Sequence, residues 1–162
     1  MRKVEKAELR DLDIIYEVYA NARRFMALHG NKDQWKDSHP SKILVNQFLA
    51  EGNLYKVVND LNEILGVFAF IIGEDPTYRS IEGKWLNDEK YGTIHALASS
   101  FKEKGILKDV VSFCSTKISN LKIDTSIENV IMKKAIINNG FKECGIIHIS
   151  NGDPRIAYQL IQ

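Results

Sequence analysis

The chain has 162 residues, 44% hydrophobic and 27% charged, which is ordinary globular usage for one domain and excludes disorder, collagen and coiled coil. Lys and Arg number 22 against 21 Asp and Glu, a formal charge of +1, so neither a nucleic acid nor an anionic membrane is expected as a partner. Two cysteines, Cys114 and Cys144, exclude a disulfide framework and a four-cysteine zinc site.

No apolar run reaches bilayer length, and the charged opening Met1–Lys6 lacks the apolar core of a signal peptide. The expectation is a soluble, cytoplasmic protein. Residues 2–7 read as a first strand. From Asp11 to Leu28 the apolar residues Leu12, Ile15, Val18, Ala22 and Phe25 form one helical stripe, and Gly30 stops it. Residues 31–40 are polar around Trp35 and read as a loop. Ser41 caps a second helix through Ala50. Leu54–Val58 and Ile64–Ile72 are Val-, Ile- and Phe-rich and flank a turn-like cluster, which predicts a β-hairpin. A long polar connection follows at 77–90, then a strand at 93–98. A helix over 105–118 buries Leu107, Val110, Val111, Cys114 and Ile118. Leu121–Ile123 is a short strand. Thr125 and Glu128 have the spacing of a capping box that opens a helix ending at Gly140. Strands over 141–149 and 156–161 close the chain around the turn Asn151-Gly152-Asp153-Pro154. The order β-α-α-β-β-β-α-β-α-β-β predicts a single α/β domain over 1–162. Its sheet is mixed and mostly antiparallel, with helices on both faces and one β-α-β crossover.

The junction from Leu97 to Leu107 is the most informative stretch. A strand ends, a short loop follows, and a helix opens at Gly105. The free amides of a helix start suit a phosphate. Gly105 permits close approach, and Lys102 and Lys104 add positive charge. An ordinary helix start with solvated lysines has the same signature.

The order of elements and the Lys104-Gly105-Ile106 turn resemble the GNAT superfamily of N-acetyltransferases. Asp124-Thr125, Asn129, Met132 and Asn139-Gly140-Phe141 agree with the later half of that family. Phe68–Tyr78 and Tyr91–His95 are similar to a bacterial branch of it. The resemblance implies an acetyl-CoA-dependent transferase acting on a primary amine of a small-molecule acceptor. It maps the family's pyrophosphate loop onto Lys102, Glu103, Lys104, Gly105, Ile106 and Leu107, with Lys102 replacing a Gln or Arg and Leu107 a Gly or Ala. It also implies that backbone groups of Leu97 and Ser99 hold the pantetheine arm and that Asn129 reaches the cofactor. Many relatives carry a tyrosine four residues before the glycine of the Gly-Phe pair, as acid for the leaving thiolate. This chain has Ile136 there.

Amide formation on a thioester needs a base and an oxyanion donor. His95 is a candidate base, mid-strand, with Thr93 and Leu97 on its face by alternation. A lone histidine in a strand is more often a structural, hydrogen-bonded one. Glu74 and Asp75 follow a strand, where a carboxylate can meet an incoming amine as the catalytic base, and read otherwise as a solvated turn. Tyr158 is a candidate proton donor or a core aromatic. Gln34 with Trp35, and Trp85, are candidates to line an acceptor pocket. Arg23 and Arg24 read as helix-end charges or as a site for an anionic acceptor group. His29, His39, His95 and His148 lack metal-ligand spacing. Two other readings belong to different classes: a CoA-binding or sensing module without turnover, and a protein–protein module. Sheet edges leave room for a homodimer.

Overall fold

A computed structural model describes all 162 residues. The elements are β1 (Lys3–Lys6), α1 (Leu12–Leu28), α2 (Lys42–Ala50), β2 (Leu54–Val58), β3 (Ile64–Ile72), β4 (Glu82–Gly83), β5 (Gly92–Ser99), α3 (Ile106–Ser115), β6 (Asn120–Thr125), α4 (Val130–Asn138), β7 (Lys142–His148) and β8 (Pro154–Ile161), with short 3-10 turns at 9–11 and 76–78. The eight strands make one sheet in the order β1-β2-β3-β5-β6-β8-β7-β4. Every pair is antiparallel except β5 and β6, which α3 connects. No helix is long and apolar enough to cross a membrane.

The sheet separates two cores. On one face α3 buries Ile106, Leu107, Val110, Val111 and Cys114 against Phe68, Phe70, Ile94 and Ile123. On the other face α1 and α2 bury Ile15, Val18, Tyr19, Val45 and Phe48 against Leu54, Val67, Ala69 and Ala98. Burying each large aliphatic side chain contributes roughly 1.5–3 kcal/mol, so the alternating faces of β3 and β5 bind both helical layers to one sheet. The start of α1 is fixed by a buried ion pair in which Lys56 Nζ reaches Asp11 Oδ2 at 2.8 Å. The final strand is flanked by β6 and β7, so it has no open edge to offer a second copy.

Three local expectations are corrected. The helix expected from the Thr125–Glu128 capping box starts later. Thr125 still belongs to β6, paired with Ile156, and the Glu128 carboxylate lies 3.0 Å from Ser126 Oγ. The cap is Asn129, whose Oδ1 accepts from the Met132 amide at 3.2 Å. The long connection at 77–90 contains a short strand, Glu82–Gly83, laid on β7 at Gly145 and Ile146. Finally, α3 ends at Ser115 because the Thr116 hydroxyl donates to the Phe113 carbonyl, a local bond that competes with helix continuation. Asn129→Ala removes the α4 cap and is expected to cost about 1 kcal/mol of stability, read as a lower denaturant midpoint. An unchanged midpoint would exclude the capping role.

Candidate active site

The parallel pair at the centre of the sheet is short. β5 and β6 register only at Gly92–Leu121 and Thr93–Lys122 and then diverge. A bulge in β5 widens the gap. His95 faces Ala69 and Ala98 faces Val67, so Ala96 and Leu97 together oppose Phe68, and Ala96 takes a φ of 50°. Strict alternation would put Leu97 on the face of His95. The bulge instead turns Leu97 toward the α3 core, while Ala96 packs toward α1. The opening is a cleft of about 490 Å³. Ile94, His95, Ala96 and Leu97 form one wall; Ile123, Asp124 and Thr125 form the other.

The free edge of β5 is set by its pairing on the other side. The Ser100 amide donates to Leu65 O of β3 at 2.9 Å. Alternation therefore turns the Ser99 and Leu97 amides toward the cleft. Beyond Ser100 the chain enters the loop expected to bind phosphate. The amides of Phe101 and Lys102 are taken by the Ser99 and Ser100 hydroxyls. The next six amides, residues 103 to 108, have no acceptor in the protein. Gly105, at φ 79°, is the helix N-cap and supplies no side-chain cap. Arg2 holds the loop by its carbonyls, donating to Lys104 O at 2.6 Å, and pairs with Asp109 at 2.7 Å. The carbonyls face inward on Arg2, and the amides remain available. Leu107 stands where a small residue is usual in the family, but its side chain is 6% exposed in the core and does not intrude. Of the flanking charges, Lys102 pairs with Glu63 at 3.1 Å, and Glu103 lies 3.5 Å from Arg2.

On the α1–α2 side the floor of the cleft carries titratable groups. His95 Nε2 lies 3.2 Å from Asp75 Oδ2. The Thr77 amide donates to Asp75 Oδ1 at 2.9 Å, and the Asp75 amide donates to Tyr91 Oη at 2.8 Å. Burial raises the Asp75 pKa, but the bonds from His95 and Thr77 outweigh it and the net shift is downward. Across the cleft Tyr78 Oη donates to Asp124 Oδ2 at 2.6 Å. Burial pushes the Asp124 carboxyl above its usual range, against the opposing effects of Tyr78, His95 and Arg155. The loop 31–40 is fastened over this end. Gln34 Oε1 accepts from Asn31, Thr125 and Asn129 side chains, and Ser126 Oγ donates to Asn31 Oδ1 at 2.8 Å. That brings Gln34, Trp35 and His39 to the cleft wall.

The raised Asp124 value has a consequence for stability. With the folded pKa above the unfolded one, the stability this group contributes is present below the unfolded pKa and lost as pH rises through the folded value. Asp124→Asn is therefore expected to stabilise the protein near neutrality. The gain should vanish as the pH falls to about 4. Thermal unfolding at both pH values checks it; an equal gain at both would show that charge burial is not the cause.

The expected site residues separate into two groups. His95, Leu97 and Asn129 line the cleft, as do Gln34 and Trp35; Ser99 and the 102–107 loop follow directly along β5. Glu74 and Tyr158 are not among the lining residues. Glu74 is exposed and paired with Arg79. Tyr158 is 2% exposed within the α3-side core, and burial pushes its hydroxyl up to about 12. Trp85 also lies elsewhere: its Nε1 donates to Tyr78 O, and its ring covers Lys122. Sequence reasoning missed Tyr78, His39 and Arg155 as cleft residues. Tyr78 and His39 sit in connections whose path no periodicity reveals. Arg155 opens a strand directly after a turn, where an exposed side chain would be the ordinary expectation.

No family model matches the chain, and no curated protein matches it. Solved structures do. A GNAT-family acetyltransferase from Streptococcus agalactiae 2603 superposes with a TM-score of 0.89 at 25% identity, over 99% of this chain and 95% of that one. The aminoglycoside acetyltransferase AAC(6')-Ib, crystallised with coenzyme A and kanamycin, superposes at 0.66 with 17% identity, over 100% and 95%. The ribosomal-protein-S18-alanine N-acetyltransferase of Escherichia coli does so at 0.62 with 12% identity, over 99% and 94%. The mixed sheet, split at one parallel pair, is the GNAT fold. These likenesses, the first above all, support assignment of the chain to the GNAT superfamily.

Proposed function

We propose that this protein is an acetyl-CoA-dependent N-acetyltransferase that modifies a primary amine of a small acceptor. The observation that carries the proposal is the run of six unpaired amides, 103 to 108, beside an open strand edge. Peptide amides converging at a helix start favour a pyrophosphate through hydrogen bonding and the helix dipole. The edge amides of Leu97 and Ser99 match the amide groups of a pantetheine arm, much as a sheet edge accepts an added strand. Solved neighbours with coenzyme A bound add weight.

In this reading His95 is the base. The Asp75 carboxylate only accepts hydrogen bonds, so it favours the proton on Nε2 and leaves Nδ1 to receive one. The neutral amine attacks the thioester carbon, and a C–N bond replaces the C–S bond. The amine proton passes to His95, directly or through water, and solvent protonates the departing thiolate. Ile136, in the family's tyrosine position, is fully buried and offers no acid. A thiolate with the pKa of about 8.5 usual for a thiol leaves without one.

Calorimetry with acetyl-CoA, followed by thiol release across an amine panel, tests the proposal. Binding with turnover is the expected result. Binding without turnover would favour the sensing module, and no binding by the folded protein would overturn the cofactor assignment.

A further inference from the structure

Arg155 is 6% exposed and lines the acceptor side of the cleft. A buried guanidinium is ordinarily matched by a carboxylate, because its desolvation is otherwise uncompensated. No carboxylate lies within ion-pair distance of Arg155; Asp124 acts on it only from farther off. The guanidinium's hydrogen bonds go to two carbonyls, Pro154 O and Gln34 O, each at 3.0 Å. Three of its five N–H groups therefore have no acceptor in the chain. The acidic groups of the cleft are committed elsewhere: Asp75 to His95 and Thr77, Asp124 to Tyr78. The Gln34 carbonyl that positions the guanidinium belongs to the loop clipped onto β6 and α4, so the side chain is held in place before any ligand arrives.

We infer that Arg155 binds a carboxylate of the acceptor, so that the preferred substrate is a small amino acid-like amine with its carboxylate on Arg155 and its amine toward His95. The inference rests on the acyltransferase reading of the cleft and narrows its substrate class. A planar guanidinium fork suits a planar carboxylate in two-pronged fashion. The His95–Asp75 pair on the same cleft floor provides the second point of contact. A zwitterion satisfies both ends, whereas a simple alkylamine leaves the buried cation unmatched.

The test uses amine pairs that differ only in the carboxylate: phenylalanine with phenethylamine, leucine with isoamylamine, and lysine with cadaverine. Each is titrated calorimetrically into the folded protein without acetyl-CoA, so that the readout does not depend on turnover. At least one amino acid is expected to bind about 10- to 100-fold more tightly than its decarboxylated partner. Arg155→Gln should erase that difference, and Arg155→Lys should retain part of it. Acetyl-CoA titration of both variants, expected to match wild type, verifies their folding and keeps the cofactor question separate. No carboxylate preference in any pair, absence of binding included, overturns the inference. So does a preference that persists in Arg155→Gln.

Discussion

His95→Gln is expected to lower kcat for acetyl transfer by about 10²- to 10⁴-fold, the range over which a positioned general base acts, while acetyl-CoA affinity stays unchanged. Glutamine preserves size and polarity but cannot take a proton at neutral pH. In the proposed mechanism the imidazole accepts one at Nδ1. Its Nε2 is 3.2 Å from Asp75 Oδ2, and that carboxylate is itself fixed by the Thr77 amide. Asp75→Asn should lower kcat too, but by less, because the imidazole remains. The pH–rate profile separates a proton acceptor from a merely structural histidine. Loss of the acidic limb in His95→Gln is the expected signature. A variant with full kcat would reject His95 as the base. Should the loss appear instead in Glu74→Gln or Tyr158→Phe, the base would have to be sought outside the cleft floor.

Gly105→Val carries the second large effect. At φ 79° a residue with a Cβ is strained by roughly 1–2 kcal/mol, and a β-branched one is worse placed than alanine. The new Cβ would also sit 3.4 Å from the Arg2 guanidinium that holds the loop carbonyls. Relief of this strain rotates the peptides on which the 103–108 amides depend. Acetyl-CoA affinity is expected to fall about 10- to 100-fold, with Gly105→Ala between the two. The opposite edge of the cleft is untouched, so the carboxylate preference attributed to Arg155 should survive. Unchanged acetyl-CoA affinity in Gly105→Val would place the pyrophosphate elsewhere.

Most of the architecture was legible in the chain because its signals are local. The stripe from Leu12 to Phe25, the Ser41 cap, the Val- and Ile-rich hairpin at 54–72 and Gly140 each act within a few residues, and the two ends of the hairpin occur where they were expected. The strand–loop–helix junction at Gly105 was legible too, although an ordinary helix start carries the same pattern and the phosphate role belongs to the proposal. Near Thr125 two local signals competed. The capping-box spacing lost to Asn129 because pairing of Thr125 with Ile156 extends β6, a contact made across 31 residues of chain. Glu74 and Tyr158 shared a residue type with catalytic groups, but an adjacent Arg79 and a surrounding core occupy them.

By itself the sequence determined the alternation of strands and helices, the helix that opens at Gly105, and the identity of the family it resembles. All three depend on patterns a few residues long. Only the tertiary structure decided that β5 and β6 part after two registered pairs, that the Ala96 bulge separates His95 from Leu97, and that Arg155 enters the cleft with no carboxylate within ion-pair distance. Those features arise where segments distant in the chain meet. Burial, pairing and charge compensation there belong to the assembled surface, and no single stretch of residues encodes them.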